Sequence, residues 1–319
     1  MLPDILDKKK CFKLVCGAGN EDVDEIEKLV YVYSLAGCNF FDLSANPEVV
    51  KSAKRGLERS GITNDRYLCV SVGIKGDPHV SKAKIDDINC TNCKSCIDSC
   101  PQNAIMMIEN KVQLNEQRCI GCSRCVQSCP KDSIYMYSEL KDLKEVLPPI
   151  IDLGIDCIEF HILGDNIDEM NVKWNEINSL YKGMLSICAD RAKLGNEVII
   201  AQLQQMLSLR KNYTTIIQAD GAPMSGGIDD YKTTLQAVAM GEIIQNAQLP
   251  AYILLSGGTN SKTAELARMC GVDINGVAIG SFARKIVKPY IEKENFFKND
   301  EYINKAVKTA KSLIVSSLL

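Results

Sequence analysis

The feature that most constrains the fold of this chain is a repeated cysteine pattern in its first half. The sequence C-x2-C-x2-C-x3-C-P begins at Cys90 and again at Cys119, so the two copies are offset by 29 residues. In such a run, three closely spaced thiolates hold one iron–sulfur cluster, and the fourth cysteine reaches across to the other cluster. The pattern therefore predicts two [4Fe-4S] clusters in a bacterial-ferredoxin-like unit.

The spacing also predicts which cysteines share a cluster. The expected metal ligands of one cluster are Cys90, Cys93, Cys96 and Cys129, and those of the other are Cys119, Cys122, Cys125 and Cys100. A pair of structural zinc sites is the alternative, but zinc does not call for a proline after the fourth cysteine of both copies. A [3Fe-4S] centre is disfavoured because neither copy lacks a cysteine ligand.

Composition limits the compartment and the partners. The seven cysteines outside the repeat are scattered, mostly through apolar runs: Cys11, Cys16, Cys38, Cys69, Cys157, Cys188 and Cys270. We interpret most of them as small core residues, with reactive thiols as the alternative, and not as disulfide partners. This interpretation favours a reducing compartment, the cytoplasm or a plastid stroma. A net charge of −3 offers no basic face for nucleic acid. No apolar run approaches the roughly 18 residues expected of a membrane span.

Outside the repeat, strand-like and helix-like patterns alternate along the chain. Three strand patterns precede the repeat, at 12–16, 39–43 and 67–74, and five follow it, at 157–163, 184–189, 214–219, 252–255 and 276–279. Eight strands that alternate with helices over 319 residues favour a (β/α)8 TIM-like barrel over an open doubly wound sheet. Two independent domains are the lesser alternative, because the repeat interrupts an otherwise continuous alternation.

Local signals predict where several helices begin and end. Asn20 and Ser261 are expected to cap the helices that follow them, and Gly37 is expected to end the first of those helices. A helical stretch at 138–151 is expected to be interrupted near its end by two consecutive prolines.

The position of the repeat predicts a barrel with an insertion. We expect residues 11–76 to form barrel strands one to three, residues 77–138 to form the inserted domain, and residues 139–319 to complete the barrel with a C-terminal helix. Because the insertion follows the C-terminal end of the third strand, its clusters should lie near the face where α/β barrels carry their chemistry. The insertion carries seven Lys or Arg and six Asp or Glu between Lys82 and Asp132, which suggests a docked electron relay.

Polar residues near the C-terminal ends of the predicted strands are candidates for acid, base or binding groups. They are Asp42, Glu159, His161, Asp190 and Asp220. A buried histidine with satisfied hydrogen bonds is as good an interpretation of His161 as a catalytic one. The glycine-rich loop at 220–227 follows the sixth strand and could shape or cover a pocket.

A second group of residues suggests an anion site at the same face. Gly257, Gly258 and Thr259 follow the seventh strand, and Gly280 and Ser281 follow the eighth. In barrels these two loops commonly hold a phosphate, because glycine lets backbone N–H groups approach the anion closely. A phosphorylated ligand or FMN is therefore a candidate cofactor, with ordinary glycine turns as the alternative.

Several motifs resemble those of the light-dependent-period protein family, LdpA, and the resemblance runs nearly end to end. The motifs are Leu14-x-Cys16-Gly17-Ala18, Asp42-Leu43-x-Ala45-x-Pro47, Asp220-Gly221-x-Pro223-Met224-Ser225-Gly226, Gly257-Gly258-Thr259-Asn260 and Gly280-Ser281-x-Ala283-Arg284. The resemblance implies a barrel-like body with two iron–sulfur clusters. It also implies a role in sensing cellular redox state and passing it to the circadian clock of an oxygenic phototroph, with no established substrate.

Two functional classes follow from these observations. In the first, the protein is an electron-transfer or redox-sensing protein that a redox or signalling partner reads. In the second, it is an oxidoreductase whose clusters serve FMN or a phosphate-bearing ligand at the barrel mouth. A scaffold braced by inert clusters is a third possibility. The sequence favours the first class, since it contains a complete cluster motif and no convincing catalytic set.

Overall fold

The computed structural model describes residues 1–17, 19–74, 80–138, 142–162, 166–190, 194–222 and 227–318. Its strands are β1 (Cys11–Val15), β2 (Phe40–Ser44), β3 (Tyr67–Gly73), β4 (Ser81–Ile85), β5 (Ile105–Ile108), β6 (Lys111–Leu114), β7 (Ile134–Ser138), β8 (Cys157–His161), β9 (Met184–Ala189), β10 (Thr215–Asp220), β11 (Tyr252–Ser256) and β12 (Gly276–Ile279). Its helices are α1 (Leu2–Asp7), α2 (Val23–Ala36), α3 (Pro47–Ser60), α4 (Ser95–Ser99), α5 (Arg124–Ser128), α6 (Leu143–Asp152), α7 (Ile167–Leu180), α8 (Asn196–Leu207), α9 (Tyr231–Asn246), α10 (Thr263–Met269), α11 (Ser281–Ile291) and α12 (Asp300–Leu318).

Eight of the strands form a closed parallel barrel in the order β1, β2, β3, β8, β9, β10, β11 and β12. The barrel closes where β1 pairs in parallel with β12, with Cys11 opposite Gly276. A Cβ atom at Gly276 would lie 2.2 Å from the carbonyl oxygen of Cys11, so only glycine permits this pairing. At least one helix lies between each pair of consecutive barrel strands. Between β3 and β8, the cysteine-rich insert comes first and α6 follows it. The prediction of a (β/α)8 barrel with an inserted ferredoxin-like unit is confirmed.

The local predictions of helix ends are partly wrong. Gly37 ends α2 with a φ of 104°, as predicted. However, Asp22 and not Asn20 caps this helix, because the carboxylate of Asp22 accepts hydrogen bonds from two backbone N–H groups of the first turn. Ser261 does not cap α10, since its hydroxyl donates to the carboxylate of Asp229. The helix α6 continues through both of its prolines and does not break at them.

Apolar residues fill both the space between barrel and helices and the N-terminal end of the barrel. At that end, Leu2 and Leu6 of α1 pack against Cys11 and other inward-facing strand residues. Six of the seven cysteines outside the repeat are buried and Cys270 is exposed, so most of them are core residues, as predicted. None of the described helices is both long and apolar enough to span a bilayer.

The insert has its own small core and an internal repeat. In it, β4 pairs antiparallel with β7, and β5 pairs antiparallel with β6. The short helices α4 and α5 occupy equivalent positions in the two copies of the cysteine pattern. They meet at equivalent serines, where the hydroxyls of Ser99 and Ser128 lie 2.9 Å apart. The two halves of the insert are therefore related by an approximate twofold arrangement about this contact.

Candidate metal centre and barrel mouth

The eight cysteines of the repeat line two separate cavities. The first, called the proximal site here, is lined by Cys100, Cys119, Cys122 and Cys125, and the second, the distal site, by Cys90, Cys93, Cys96 and Cys129. Each cavity receives three cysteines from one copy of the repeat and the fourth from the other copy. These are the two sets that the spacing proposes as ligands, and their assignment to clusters stays a prediction.

The same backbone conformation shapes both copies of the pattern. Lys94 and Ser123, just before α4 and α5, have φ values of 72° and 55°. Two residues earlier, Asn92 and Gly121 have φ values of 56° and 70°. Left-handed residues reverse the chain between successive cysteines. This reversal lets cysteines that are three residues apart face a common cavity.

Backbone N–H groups donate hydrogen bonds to three of the sulfur atoms. These bonds, 3.3–3.4 Å long, join Ala104 to Cys100 and Ala83 to Cys119 at the proximal site, and Ser133 to Cys129 at the distal site. Hydrogen bonds to ligand sulfurs influence the reduction potential of an iron–sulfur cluster. Each cavity has four cysteine sulfurs that could bind metal, and N–H groups donate to some of them. This arrangement fits a [4Fe-4S] cluster.

The thiols differ in their tendency to ionise. Burial, and then the neighbouring thiolates, raise the pKa of Cys125 to about 11. Burial also raises the pKa of Cys96 and of Cys122. At exposed Cys93, by contrast, a hydrogen bond with Ser95 lowers the pKa. Crowded buried thiols become thiolates together when a metal supplies compensating positive charge, as cluster binding would do.

The two sites also differ in their surroundings. Each site has buried cysteines, Cys96 at the distal site and Cys119 and Cys125 at the proximal site, but only the distal site has an exposed cysteine, Cys93. The proximal site adjoins the loop after β1: Lys82, next to β4's start, donates from Nζ to the carbonyl oxygens of Gly19 at 2.5 Å and Cys119 at 2.9 Å. This buried ammonium therefore connects the insert to the C-terminal mouth of the barrel.

Further polar contacts join the insert to the barrel near the same place. Arg118 Nε donates to Asp22 Oδ2 at 2.6 Å, and its Nη1 donates to Glu292 Oε1 at 3.3 Å. The backbone N–H of Glu21 donates to the carbonyl of Gln117 at 2.7 Å. The partners of these bonds lie on the loop after β1 and at the end of α11, so the insert is held against two elements of the barrel rim.

Inside the barrel, a buried ion pair organises the candidate acid and base groups. Lys13 Nζ, on β1, lies 2.5 Å from Glu159 Oε2 and 3.6 Å from Asp42 Oδ2. It also donates to Gln218 Oε1 at 3.0 Å. Glu159 accepts a further hydrogen bond from the hydroxyl of Ser186 at 2.7 Å. Lys13 thus shares its charge between two carboxylates that come from different strands.

The other predicted residues lie around this ion pair. His161 Nε2 is 3.1 Å from Glu159 Oε1, and Ser71 donates to Asp42 Oδ1 at 2.6 Å. The structure therefore brings Asp42, Glu159 and His161 together in one network. Asp220, at the end of β10, is also buried, and the charges of His161, Asp190 and Glu159 influence the pKa of its carboxyl group. Their catalytic roles stay predictions.

Glu159 of this network and the nearby Asp220 have opposite pKa shifts. Although burial alone would raise the pKa of Glu159, the Lys13 ammonium and the hydrogen bond with His161 hold it below its ordinary value. Burial raises the pKa of Asp220 to about 6, with a smaller raising effect from Asp190. The two carboxyl groups are thus suited to different protonation states near neutral pH.

The predicted anion-binding residues are at the same mouth. Gly257 and Gly258 have φ values of 69° and 78°, and a Cβ at Gly257 would lie 2.1 Å from Asp220 Oδ1. Thr259 uses its hydroxyl internally, donating to the carbonyl of Ala278 at 2.5 Å. Ser281 begins α11. The part of the predicted glycine-rich loop at 223–226 lies outside the described residues, as does Ala18 of the N-terminal motif.

Sequence reasoning missed the cations of this region. Lys13 and Lys82 are not among the predicted site residues, and Arg284 is present only as part of a sequence motif. One signal was available for Lys13, since it stands in the apolar strand pattern Phe12–Val15 at a position where a strand alternates inward. No local signal distinguishes Lys82 from Lys84, two residues away on the same strand.

Known proteins similar to this chain can be compared with this geometry. The family model described as the Light dependent period A C-terminal domain matches residues 149–316, and that of a 4Fe-4S dicluster domain matches residues 89–133. The Light dependent period A protein of Synechococcus elongatus is 31 % identical over 322 residues, which cover 95 % of this chain and 90 % of that protein.

Two solved structures are among those similar to this chain. The YdjI aldolase from Escherichia coli K12 superposes with a TM-score of 0.52 at 6 % identity, over 98 % of this chain and 93 % of that chain. Dihydrodipicolinate synthase from Oceanobacillus iheyensis has a TM-score of 0.43 at 10 % identity, over 97 % and 80 % of the two chains. The likeness to YdjI shows the barrel fold alone.

The fold and the cysteine sites together define an iron–sulfur protein built on a (β/α)8 barrel. Within that class, the chain belongs to the Light dependent period A family, because it shares 31 % identity with that protein over nearly its whole length and matches the family's C-terminal domain. This membership agrees with the resemblance carried by its sequence motifs.

Proposed function

We propose that this chain is a redox protein that carries two [4Fe-4S] clusters and relays or senses single electrons at the mouth of its barrel. The observation that carries the proposal is the pair of cavities, each lined by four cysteines in the crossed pattern of a two-cluster ferredoxin. Bound clusters supply one-electron oxidation and reduction. The chain supplies the ligands, the hydrogen bonds to sulfur and the contact with the barrel.

The crossed pattern supports electron exchange between the two sites. Cys100 lines the proximal site, although the other three cysteines of its own repeat copy line the distal site. Cys129 lines the distal site, although the other three cysteines of its copy line the proximal site. The two sites are therefore joined by short stretches of chain. The exposed thiol of Cys93 supports the distal site as the contact for an external redox partner, whereas the proximal site has no exposed cysteine and adjoins the barrel through Lys82.

The contacts at the barrel rim support a signalling role for the same site. Lys82 bonds the carbonyls of both Cys119 and Gly19, and Arg118 joins the insert to Asp22, the N-cap of α2. A change of charge at the proximal site would act on these contacts and so on the loop between β1 and α2. Family membership supports a protein that responds to redox state or light. We propose that a signalling partner reads this response and passes it to the circadian clock.

Anaerobic purification with iron, sulfide and zinc analysis tests the proposal. We expect about eight iron atoms and eight sulfides per chain, with a reduced spectrum that shows two interacting paramagnetic clusters. About four iron atoms per chain, or stoichiometric zinc, would contradict it. Reversible reduction within the physiological range would exclude a purely structural role for the clusters.

A specific observation also favours an oxidoreductase that uses FMN or a phosphate-bearing ligand. The charged network of Lys13, Glu159 and Asp42 lies below a mouth where Gly257 and Gly258 have left-handed backbones. Such glycines expose N–H groups that can bind phosphate. Stoichiometric FMN in the purified protein would favour this function over pure sensing.

A matched pair of glycine variants tests the phosphate site. Gly258→Leu should abolish binding of added FMN if the glycines of this loop bind its phosphate. Gly271→Leu is the control, because Gly271 has a similar φ of 71° but lies after α10 with open space around its Cβ position. Equal FMN affinity in both variants and the wild type would remove the proposed phosphate site.

A further inference from the structure

Arg284, in the first turn of α11, is a buried cation at the junction of insert and barrel. Its residue surface is only 5 % exposed. Its Nη1 donates to the carbonyl of Val15, the last residue of β1, at 2.8 Å. With the amide of Gln102 oriented so that its oxygen faces the guanidinium, this oxygen accepts from Nη2 at 2.9 Å and from Nε at 3.2 Å. Both acceptors are neutral.

The charge of Arg284 has no close carboxylate partner among the described residues. No described Asp or Glu oxygen lies within 4.0 Å of its guanidinium. Burial lowers the pKa of Arg284, and Glu25 opposes this effect from a longer distance, but the Glu25 carboxylate accepts a hydrogen bond from Asn20 at 3.0 Å. A buried cation without a counter-ion is strongly unfavourable. The fold therefore needs a negative group beside Arg284.

Two residues that line the proximal site, Gln102 and Ile120, connect it to this guanidinium. Gln102 follows Cys100 by two residues, and both line the proximal cavity. At Gly17, where φ is +126°, an added Cβ would lie 3.5 Å from Ile120 Cγ2 and 3.6 Å from Arg284 Cζ. Ile120 also lines that cavity, between two of its cysteines. Ile120 of the cysteine loop and the guanidinium of Arg284 therefore both lie against Gly17.

We infer that Arg284 is the counter-ion of the cluster in the proximal site and a positioning residue that raises its reduction potential. The inference rests on the proposed two-cluster function. A cluster held by four thiolates is anionic, and addition of one electron makes it more negative without breaking a bond. A nearby cation therefore favours the reduced state. Burial lowers the reduction potential, because it disfavours the added negative charge. Arg284 therefore offsets the cost of reducing a cluster that is away from water.

Redox titration monitored by electron paramagnetic resonance tests the inference on the intact, cluster-loaded protein. Arg284→Gln should lower the potential of one cluster by at least a tenfold change in its reduction equilibrium, about 59 mV for one electron, and leave the other cluster unchanged. Arg284→Lys should retain most of the potential, because the charge remains. Cys93→Ala perturbs the distal site and so identifies the signal that belongs to it.

Lys285→Gln is the matched control. It removes the same charge from the adjacent position, but Lys285 Nζ points elsewhere and donates to the carbonyl of Gly227 at 2.8 Å. The control should leave both potentials unchanged. Potentials that stay the same in Arg284→Gln, or that fall equally in both variants, would overturn the inference.

A second variant covers the case in which Arg284→Gln loses its proximal cluster. Gln102→Leu removes the amide oxygen that holds both Nε and Nη2 of Arg284, and it should lower the same potential. An unchanged potential in Gln102→Leu would then overturn the inference. The proposed function fails separately: wild-type protein with fewer than two clusters contradicts it, whereas two clusters with unshifted potentials contradict only the role of Arg284.

Discussion

Lys13 Nζ lies 2.5 Å from Glu159 Oε2 inside the barrel, and the two side chains are 1 % and 0 % exposed. The two residues stand on β1 and β8, on different sides of the closed sheet. Burying either charge alone would be costly, so each one depends on the other. The ion pair is therefore both a structural requirement of the barrel and the centre of its polar network.

Lys13→Met should destabilise the barrel, because it leaves the Glu159 carboxylate buried without its cation. We expect a loss of about 3–5 kcal/mol in the free energy of unfolding. The double variant Lys13→Met/Glu159→Gln should recover part of this loss, since it also removes one of the two buried carboxylates, Glu159 and Asp42, that the Lys13 ammonium compensates. Urea unfolding followed by the fluorescence of Trp174, the single tryptophan, measures both effects.

Lys9→Met is the control for this prediction. Lys9 is paired with Asp273 at 2.6 Å, but the two side chains are 51 % and 68 % exposed. Its removal should cost no more than about 1 kcal/mol. A Lys13→Met protein as stable as Lys9→Met would show that the buried pair contributes little.

Asp220 should make stability depend on pH. Its pKa is about 6 in the folded protein against an ordinary value of 3.8, because it is buried. Between these values the unfolded chain releases the proton while the folded chain keeps it. Stability therefore falls as pH rises through this window and levels off above it, by about 3 kcal/mol at most.

Asp220→Asn should remove this dependence. Thermal unfolding of wild type and variant at pH 5 and pH 8 measures it, and the variant should gain stability relative to wild type at the higher pH. His161, Asp190 and Glu159 influence the same carboxyl group, but they are present in both proteins. A stability difference that does not change with pH would mean that Asp220 does not titrate in this range.

Lys82→Met should loosen the proximal site. The substitution keeps the length of the side chain but removes the donor to the carbonyls of Gly19, Glu116 and Cys119. Hydrogen bonds from charged groups contribute roughly 1.5–3 kcal/mol each, so transfer of iron to a chelator should be about tenfold faster or more.

The control for Lys82→Met is Lys84→Met, on the same strand but exposed. It should release iron at the wild-type rate. Iron release that is equally fast in the two variants would assign the effect to lost surface charge and not to the junction with the barrel.

The crossed ligand sets predict which cluster each cysteine variant affects. Cys100→Ala should remove the same spectroscopic signal as Cys122→Ala, because both line the proximal site. Cys129→Ala should instead match Cys93→Ala at the distal site. Electron paramagnetic resonance of the reduced proteins distinguishes the patterns. If Cys100→Ala matched Cys93→Ala, the two ligand sets would not be crossed.

The cysteine repeat and the strand count were predictable because they depend on local sequence. The 29-residue offset that relates the cysteines also relates Ser99 to Ser128 and the left-handed residues Lys94 and Ser123. Alternating apolar patterns likewise indicate strands and helices within short windows. The errors lie at the ends of elements, as at Asn20 and Asp22, where two neighbouring polar side chains compete for the same cap.

The partners of the buried cations were not predictable in this way. Lys13 is 146 residues from Glu159, and Arg284 is 269 residues from Val15. No periodic pattern relates positions so far apart. A polar residue in an apolar strand shows only that it needs a partner, and the closed barrel decides which residue that partner is.

The sequence by itself determined the two sets of cysteine ligands that we propose, the eight-stranded body and membership of the family, because these follow from spacing, periodicity and motif. Only the tertiary structure decided that Cys93 faces solvent while the site of Cys119 lies beside Arg284. Pairing of β1 with β12 brings the first and the last barrel strand together. That closure places Arg284 next to an insert that lies much earlier in the sequence.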